Sequence, residues 1–220
     1  MAKLIILEGL DGSGKSTQTD LLFEYLKNRF NRCRKIKLPD YASPSSELVK
    51  MYLNGDFGSD ANSVNAYATS AFYAVDRYAS FSLDWKKDYE NSDIILSDRY
   101  ATSNLIYQMV KLENSKWNDY ILWCEDFEYR KMGIPKPDLV IFLDMPVEIS
   151  QELMSKRYEG DESKKDVHEN DVEFLNNCRN AALYSAKMQG WTVICCSENG
   201  KPRSIESIQY DIQKAVNNIV

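Results

Sequence analysis

Gly9-Leu10-Asp11-Gly12-Ser13-Gly14-Lys15-Ser16-Thr17 follows the apolar run Leu4-Ile5-Ile6-Leu7 and opens a stretch carrying Leu21, Leu22, Tyr25 and Leu26 at helical spacing. The segment satisfies G-x-x-x-x-G-K-[ST], and a strand before it with a helix after it is the context that makes this pattern a phosphate cradle. The glycines let the backbone wrap so that several N–H groups face one phosphate, and the helix N-terminus adds partial positive charge there. Lys15 has the reach for the β- and γ-phosphates, and the Ser16 hydroxyl suits Mg²⁺. Residues 9–17 are therefore predicted to bind a nucleoside triphosphate.

Working outward, short apolar runs at Leu4–Leu7, Lys35–Leu38, Asp93–Ser97, Leu139–Leu143 and Thr192–Cys195 alternate with helical patterns. The helical patterns cover roughly 16–30, 45–54, 64–89, 101–131, 147–156, 169–189 and 204–219. Several runs are continuous in Val, Ile and Leu, as expected of strands covered on both faces. The alternation predicts one α/β domain spanning 1–220, with a parallel sheet of about five strands flanked by helices. From Lys156 to Asp171 apolar residues almost vanish, which reads as a solvated surface loop or as a mobile charged lid.

The chain has 220 residues, 44% hydrophobic and 27% charged, with 27 basic against 33 acidic side chains for a net charge of −6. That balance excludes wholesale disorder and argues against a partner that is a nucleic acid polymer. Glu8 and Asp11 interrupt the N-terminal apolar run too early for a secretory signal, and no run is long enough to span a membrane. Five cysteines without a C-x-x-C pair and a single histidine, His168, leave no zinc-ligand set. Cys195 and Cys196, in a strand-like run, read as small buried thiols. The expected compartment is the reducing cytoplasm.

A phosphate cradle does not say where the γ-phosphate goes. No Asn-Lys-x-Asp guanine reader follows, and the length suits a small phosphotransferase better than a motor ATPase. Ile94-Ile95-Leu96-Ser97-Asp98-Arg99-Tyr100 puts an acid at the carboxyl end of a strand, where open α/β sheets bind ligands. Asp98 there suits the metal shell or the acceptor phosphate. Arg99 suits a clamp on both phosphates, although a structural ion pair fits the same residues.

These blocks together resemble the thymidylate kinases, a family of P-loop nucleoside monophosphate kinases. The likeness covers nearly the whole chain. It rests on residues 8–18, Leu38-Pro39-Asp40-Tyr41, Phe72-Tyr73-Ala74-Val75-Asp76-Arg77, Asp98–Asn104 with Tyr107-Gln108, and Pro135–Asp144. It implies transfer of the γ-phosphate of ATP to dTMP with Mg²⁺, in a homodimer with a lid over roughly 156–171. It further implies that Asp11 accepts from the deoxyribose 3′-hydroxyl, that Phe72 stacks on thymine, and that Arg77 donates to a thymine carbonyl. Phe72 and Arg77 lie about 140° apart on an ideal helix, so the base would have to lie partly along it. Ser103 and Asn104 fall near the base, and Tyr107 crowds the sugar 2′-position. Tyr41 stands near the acceptor phosphate where some members have Arg, which leaves Lys37 to supply the charge.

Gly12 departs from the members that carry a basic residue at that position. The transfer charge would then come from the lid, with Arg157 first and Lys165 second among Lys156, Arg157, Lys164 and Lys165, beside the catalytic pair Lys15 and Arg99. His168 reads as a surface residue. Two other readings stay open: a deoxynucleoside kinase acting on an unphosphorylated nucleoside, and a non-catalytic nucleotide-binding regulator.

Overall fold

Alternate side chains of the first strand, β1 (Lys3–Gly9), enter two different cores. Leu4 and Ile6 join Trp85, Tyr100, Tyr120 and Phe142 on one face, while Ile5 and Leu7 join Leu22, Leu26, Ile141 and Ile212 on the other. Burial on both faces explains why the sequence reads there as an unbroken apolar run. The computed structural model describes residues 1–58, 60–157 and 172–220, with the backbone alone at 61, 156 and 157.

β1 is the middle strand of a five-stranded parallel sheet of order β2-β3-β1-β4-β5, with β2 Cys33–Lys37, β3 Ile94–Asp98, β4 Leu139–Asp144 and β5 Thr192–Cys195. The chain leaves β1 for β2 at one edge and later crosses from β3 to β4 on the other side of β1. The crevice where these connections part lies at the carboxyl ends of β1 and β3, where Leu7 is in register with Asp98.

The helices are α1 (Lys15–Lys27), α2 (Glu47–Leu53), α3 (Ala66–Ser80), α4 (Lys86–Asn91), α5 (Asn104–Tyr107), α6 (Trp117–Glu125), α7 (Val147–Arg157), α8 (Val172–Gln189) and α9 (Ile205–Asn217). Leu22 and Leu26 of α1 and Ile208, Ile212 and Val216 of α9 cover the Ile5/Leu7 face. α5, α6 and α8 cover the opposite face through Ile106, Tyr120 and Leu175.

The helical stretch expected over 64–89 is α3 and α4 joined by a π-helical turn, Phe81–Trp85. The single helix expected over 101–131 is broken. Leu112 and Glu113 are extended, at φ −110°, ψ 152° and φ −59°, ψ 143°. The break coincides with side-chain anchors. The Lys111 ammonium donates to Val64 O and Thr69 Oγ1 at 3.0 and 3.1 Å, and the Trp117 indole donates to Leu112 O. These non-local anchors override a helical apolar pattern. A second π-helical turn, Asp126–Lys131, follows α6.

A small hairpin was not anticipated: β6 (Ser197–Glu198) pairs with β7 (Lys201–Pro202). Its turn is Asn199-Gly200, both at positive φ, a dipeptide signal that the sequence carries plainly. Of the two adjacent thiols, Cys196 is buried as expected but Cys195 is exposed, because successive strand residues face opposite ways. Among the described residues no helix is long and apolar enough to cross a membrane. The expected lid, with Lys164, Lys165 and His168, lies outside the described residues, as do the side chains of Lys156 and Arg157.

Candidate active site

Gly14 caps α1 in the left-handed conformation (φ 82°), and no side chain caps the helix, so its first N–H groups face the crevice. Inside the loop a Cβ on Gly9 would lie 2.5 Å from Ser13 Oγ, and the Ser13 hydroxyl is buried without a partner. A Cβ on Gly12 would lie 2.5 Å from the Ser150 carbonyl oxygen and 2.8 Å from Met154 Cγ, both on α7. Position 12 also has φ +77°. The lack of a side chain at position 12 is thus a packing requirement of this chain.

Lys15 is buried and ion-paired with Asp98 at the end of β3. Burial, then the charge of Arg99, lowers its pKa against the pull of Asp98. Arg99 donates to Asp11 Oδ1 at 2.6 Å and packs its guanidinium over the Tyr107 ring, 5.0 Å from the centroid. Tyr107 donates to Asp11 Oδ2 at 3.3 Å. Burial pushes the Asp11 carboxyl up, but Arg99 and Lys15 outweigh it and hold the group below its ordinary value. Asp11 therefore stands as a charged acceptor.

Arg99 is also the one non-glycine besides Asn199, among the described residues, with positive φ, 67°. Such a conformation costs of order 1–3 kcal/mol and persists only where its surroundings over-determine it. Here they do. Arg99 N–H donates to Leu7 O at 3.1 Å, and the Arg99 carbonyl accepts from Ser97 Oγ. The next N–H, of Tyr100, donates to Glu8 Oε1 at 3.2 Å. Glu8, fully buried, also accepts from Thr102 Oγ1 at 2.6 Å and from Ser103 Oγ at 2.9 Å. Burial raises its pKa against the opposing charge of Arg99. Glu8 thus fixes the turn that presents Arg99.

Two cavities meet at this point, of about 240 and 480 Å³, sharing Asp11, Lys15 and Ser16. The larger runs along the phosphate loop to Met154 of α7, and to Pro202 and Arg203 at the end of the hairpin. The smaller is walled by Lys37, Tyr41, Tyr73, Arg77, Ser103, Asn104, Tyr107 and Gln108, with Arg99 at the junction. The expected Lys15, Arg99, Asp11, Tyr41, Arg77, Ser103, Asn104 and Tyr107 are therefore brought together. Phe72 is not brought to the wall. Set well round the helix from Arg77, its ring stacks on Phe57 at 5.4 Å, and Tyr73, one helical turn before Arg77, lines the cavity instead. The Ser103 hydroxyl proton is committed to Glu8.

Other residues here were not anticipated. Asp76, fully buried, accepts from Asp40 N at 2.9 Å and Ser45 Oγ at 2.6 Å, and so ties the 38–45 segment to α3. Glu128 pairs with Arg77 inside the protein. Gln108 lines the smaller cavity with a buried Oε1 that has no partner. Only Tyr73 had a readable signal, its i, i+4 spacing from Arg77. The carboxylates bond residues far away in sequence.

Among the described residues no three acidic, His or Cys side chains converge on a common point. The exposed Ser16 hydroxyl and the Asp98 carboxylate, whose Oδ1 faces Lys15, are oxygen donors of the kind that would hold Mg²⁺ together with nucleotide phosphates.

The thymidylate kinase family model matches residues 7–209. The thymidylate kinase of Mycobacterium tuberculosis is 28% identical over 191 residues, which are 86% of this chain and 87% of that protein. That of Plasmodium falciparum is 28% identical over 220 residues, covering 99% of this chain and 90% of the other. The solved structure of the Candida albicans thymidylate kinase shares the fold, with a TM-score of 0.71 at 23% identity over 99% of this chain and 92% of that one.

Proposed function

We infer, from the premise that this chain belongs to the thymidylate kinase family and phosphorylates dTMP to dTDP, that its two joined cavities hold the two nucleotides of that reaction. ATP occupies the cavity along the phosphate loop and dTMP the one walled by Arg77 and Asn104. The observation that carries this reading is the shared junction: the cavities meet at Asp11, Lys15 and Ser16, with Arg99 beside them. An oxygen of the dTMP phosphate attacks the γ-phosphorus. The bond to the β–γ bridging oxygen breaks and its electron pair leaves with ADP. The attacking phosphate is already ionised, so no base is required. Lys15 and Arg99 neutralise charge on the transferring oxygens.

Asp11 holds the 3′-hydroxyl, and Phe72 stacks on the base once Phe57 gives up its place on that ring. Tyr41 and Lys37 meet the acceptor phosphate. Ser16 and Asp98 would hold Mg²⁺, which supplies charge neutralisation on the β- and γ-oxygens when bound. The tight fit of Gly12 against α7 supports a transfer charge from the lid, from Arg157 first and Lys165 second. The whole chain works as one domain. Exposed Tyr67, Val75 and Tyr78 on α3 support a homodimer through that helix, and sedimentation showing a monomer at tens of micromolar would overturn it. Five free cysteines support a reducing, cytoplasmic setting.

The test is ADP release with ATP, Mg²⁺ and a panel of acceptors. Turnover with dTMP far above dUMP, dCMP, AMP and thymidine is expected; a preference for thymidine would instead favour the nucleoside kinase, and binding of ATP without transfer the regulator. Lys37→Ala is expected to raise KM for dTMP about tenfold with little change in kcat, the loss of one charged contact to a bound phosphate. Unchanged KM would remove Lys37 from the site. Tyr107→Ala is expected to lower the dUMP/UMP ratio of kcat/KM about tenfold by opening room at the 2′-position, and an unchanged ratio would refute that role.

A further inference from the structure

Glu128 sits on the π-helical turn after α6, 1% exposed, and lines neither nucleotide cavity. Its carboxylate accepts from Arg77 Nε at 3.2 Å, from Arg77 Nη2, and from Asn104 Nδ2 at 3.2 Å. Arg77 and Asn104 are 3% and 2% exposed, and both line the acceptor cavity. A carboxylate only accepts, so Glu128 decides which end of each partner is spent and which is presented. Asn104, which lines the cavity, turns its NH₂ to Glu128, and so its carbonyl oxygen is directed away from that carboxylate. Arg77 spends one edge of its guanidinium and keeps Nη1 as a donor. One buried carboxylate therefore sets a donor beside an acceptor.

We propose that Glu128 is a positioning residue for base selectivity, making the acceptor cavity take a 4-oxo pyrimidine and reject a 4-amino one. This rests on the reading above that Arg77 and Asn104 face the base. Thymine offers O4 as an acceptor and N3–H as a donor, which match the Arg77 donor and the Asn104 carbonyl. Cytosine reverses both: its 4-amino group faces the guanidinium and its bare N3 faces the carbonyl oxygen. Two buried mismatches of this kind are costly, because each leaves polar groups unpaired.

The variant E128Q is nearly isosteric. Oε1 of Glu128 takes both Arg77 Nη2 and Asn104 Nδ2, and Oε2 takes Arg77 Nε, so in either orientation the NH₂ of the substituted side chain faces a donor and the orientation of the pair is no longer fixed. An Asn104 amide released in this way can turn its NH₂ to the cavity and match cytosine N3.

The experiment measures kcat/KM for dTMP and dCMP in the full chain, with thermal melting to check folding. For E128Q the dTMP/dCMP ratio is expected to fall at least tenfold, the scale of losing the fixed orientation of one buried polar contact. A merely structural role would lower both substrates alike and leave the ratio within about twofold, which overturns the proposal. If E128Q fails to fold, E128D is decisive. It keeps the negative charge but draws it back from Arg77 and from Asn104, which share Oε1, so its ratio should also fall, whereas an unchanged ratio overturns the proposal. Asn104→Ala and Arg77→Ala separate the two levels. If neither alters the ratio, these residues do not read the base and the underlying reading fails. If they alter it while E128Q and E128D do not, the role of Glu128 alone is lost.

Discussion

Arg99→Ala is expected to lower kcat about 10³-fold, the scale of removing a positioned cation from a phosphoryl-transfer site. Two properties of the structure make this loss one of chemistry and not of folding. The turn at 97–103 is held by hydrogen bonds of backbone groups, the Ser97 hydroxyl and Glu8, none of which uses the Arg99 side chain. Among the described residues the side chain bonds Asp11 and lies over the Tyr107 ring, and Lys15 remains to balance the Asp11 charge. Alanine at φ 67° retains the backbone strain, whereas Arg99→Gly relieves it at no further loss of function. The glycine variant should therefore be equally inactive but melt higher than the alanine variant. Steady-state kinetics and melting curves check both parts. An alanine variant within tenfold of the parent would remove Arg99 from the transfer step, and an alanine variant that unfolds would recast the residue as a fold element.

Gly12→Arg has the largest expected effect on stability. The new Cβ meets the Ser150 carbonyl at 2.5 Å and Met154 Cγ at 2.8 Å while the backbone sits at φ +77°. The carbonyl belongs to the body of α7 and cannot swing aside as a side-chain tip could. Overpacking and left-handed strain together cost about 2–5 kcal/mol, which for a chain of this size lowers Tm by on the order of 5–15 °C. Activity should fall as well, since the loop and α7 both wall the larger cavity. The basic residue that some family members carry here cannot be transplanted without moving α7. A Gly12→Arg protein with parental Tm and turnover would show that α7 yields freely, and would weaken the case for a transfer charge from the lid.

The segments that were legible were those whose meaning is local. The phosphate loop is contiguous and bounded by a strand and a helix, so Lys15 and Ser16 were placed by reading nine residues. The inner strands β1, β3 and β4 were legible because burial on both faces leaves an unbroken apolar run. The edge strands β2 and β5 are partly exposed, and all five appear within a residue or two of their expected bounds. The 101–131 segment misled because its apolar spacing is helical, whereas Lys111 finds its partners at Val64 and Thr69. Phe72 and Tyr73 show a finer limit. Neighbours on a helix differ by about 100° in direction, and only packing decides which of the two meets the cavity.

By itself the sequence determined an α/β sheet with a phosphate loop at its centre, since strand burial and loop chemistry are written in consecutive residues. Only the tertiary structure decided how the functional side chains are held. Glu8 reaches across 92 residues to the Tyr100 amide, and Glu128 across 51 to Arg77 and 24 to Asn104. A carboxylate at such a distance looks in sequence like any other acid. Its role exists only once folding has excluded water and left it facing the donors it must satisfy.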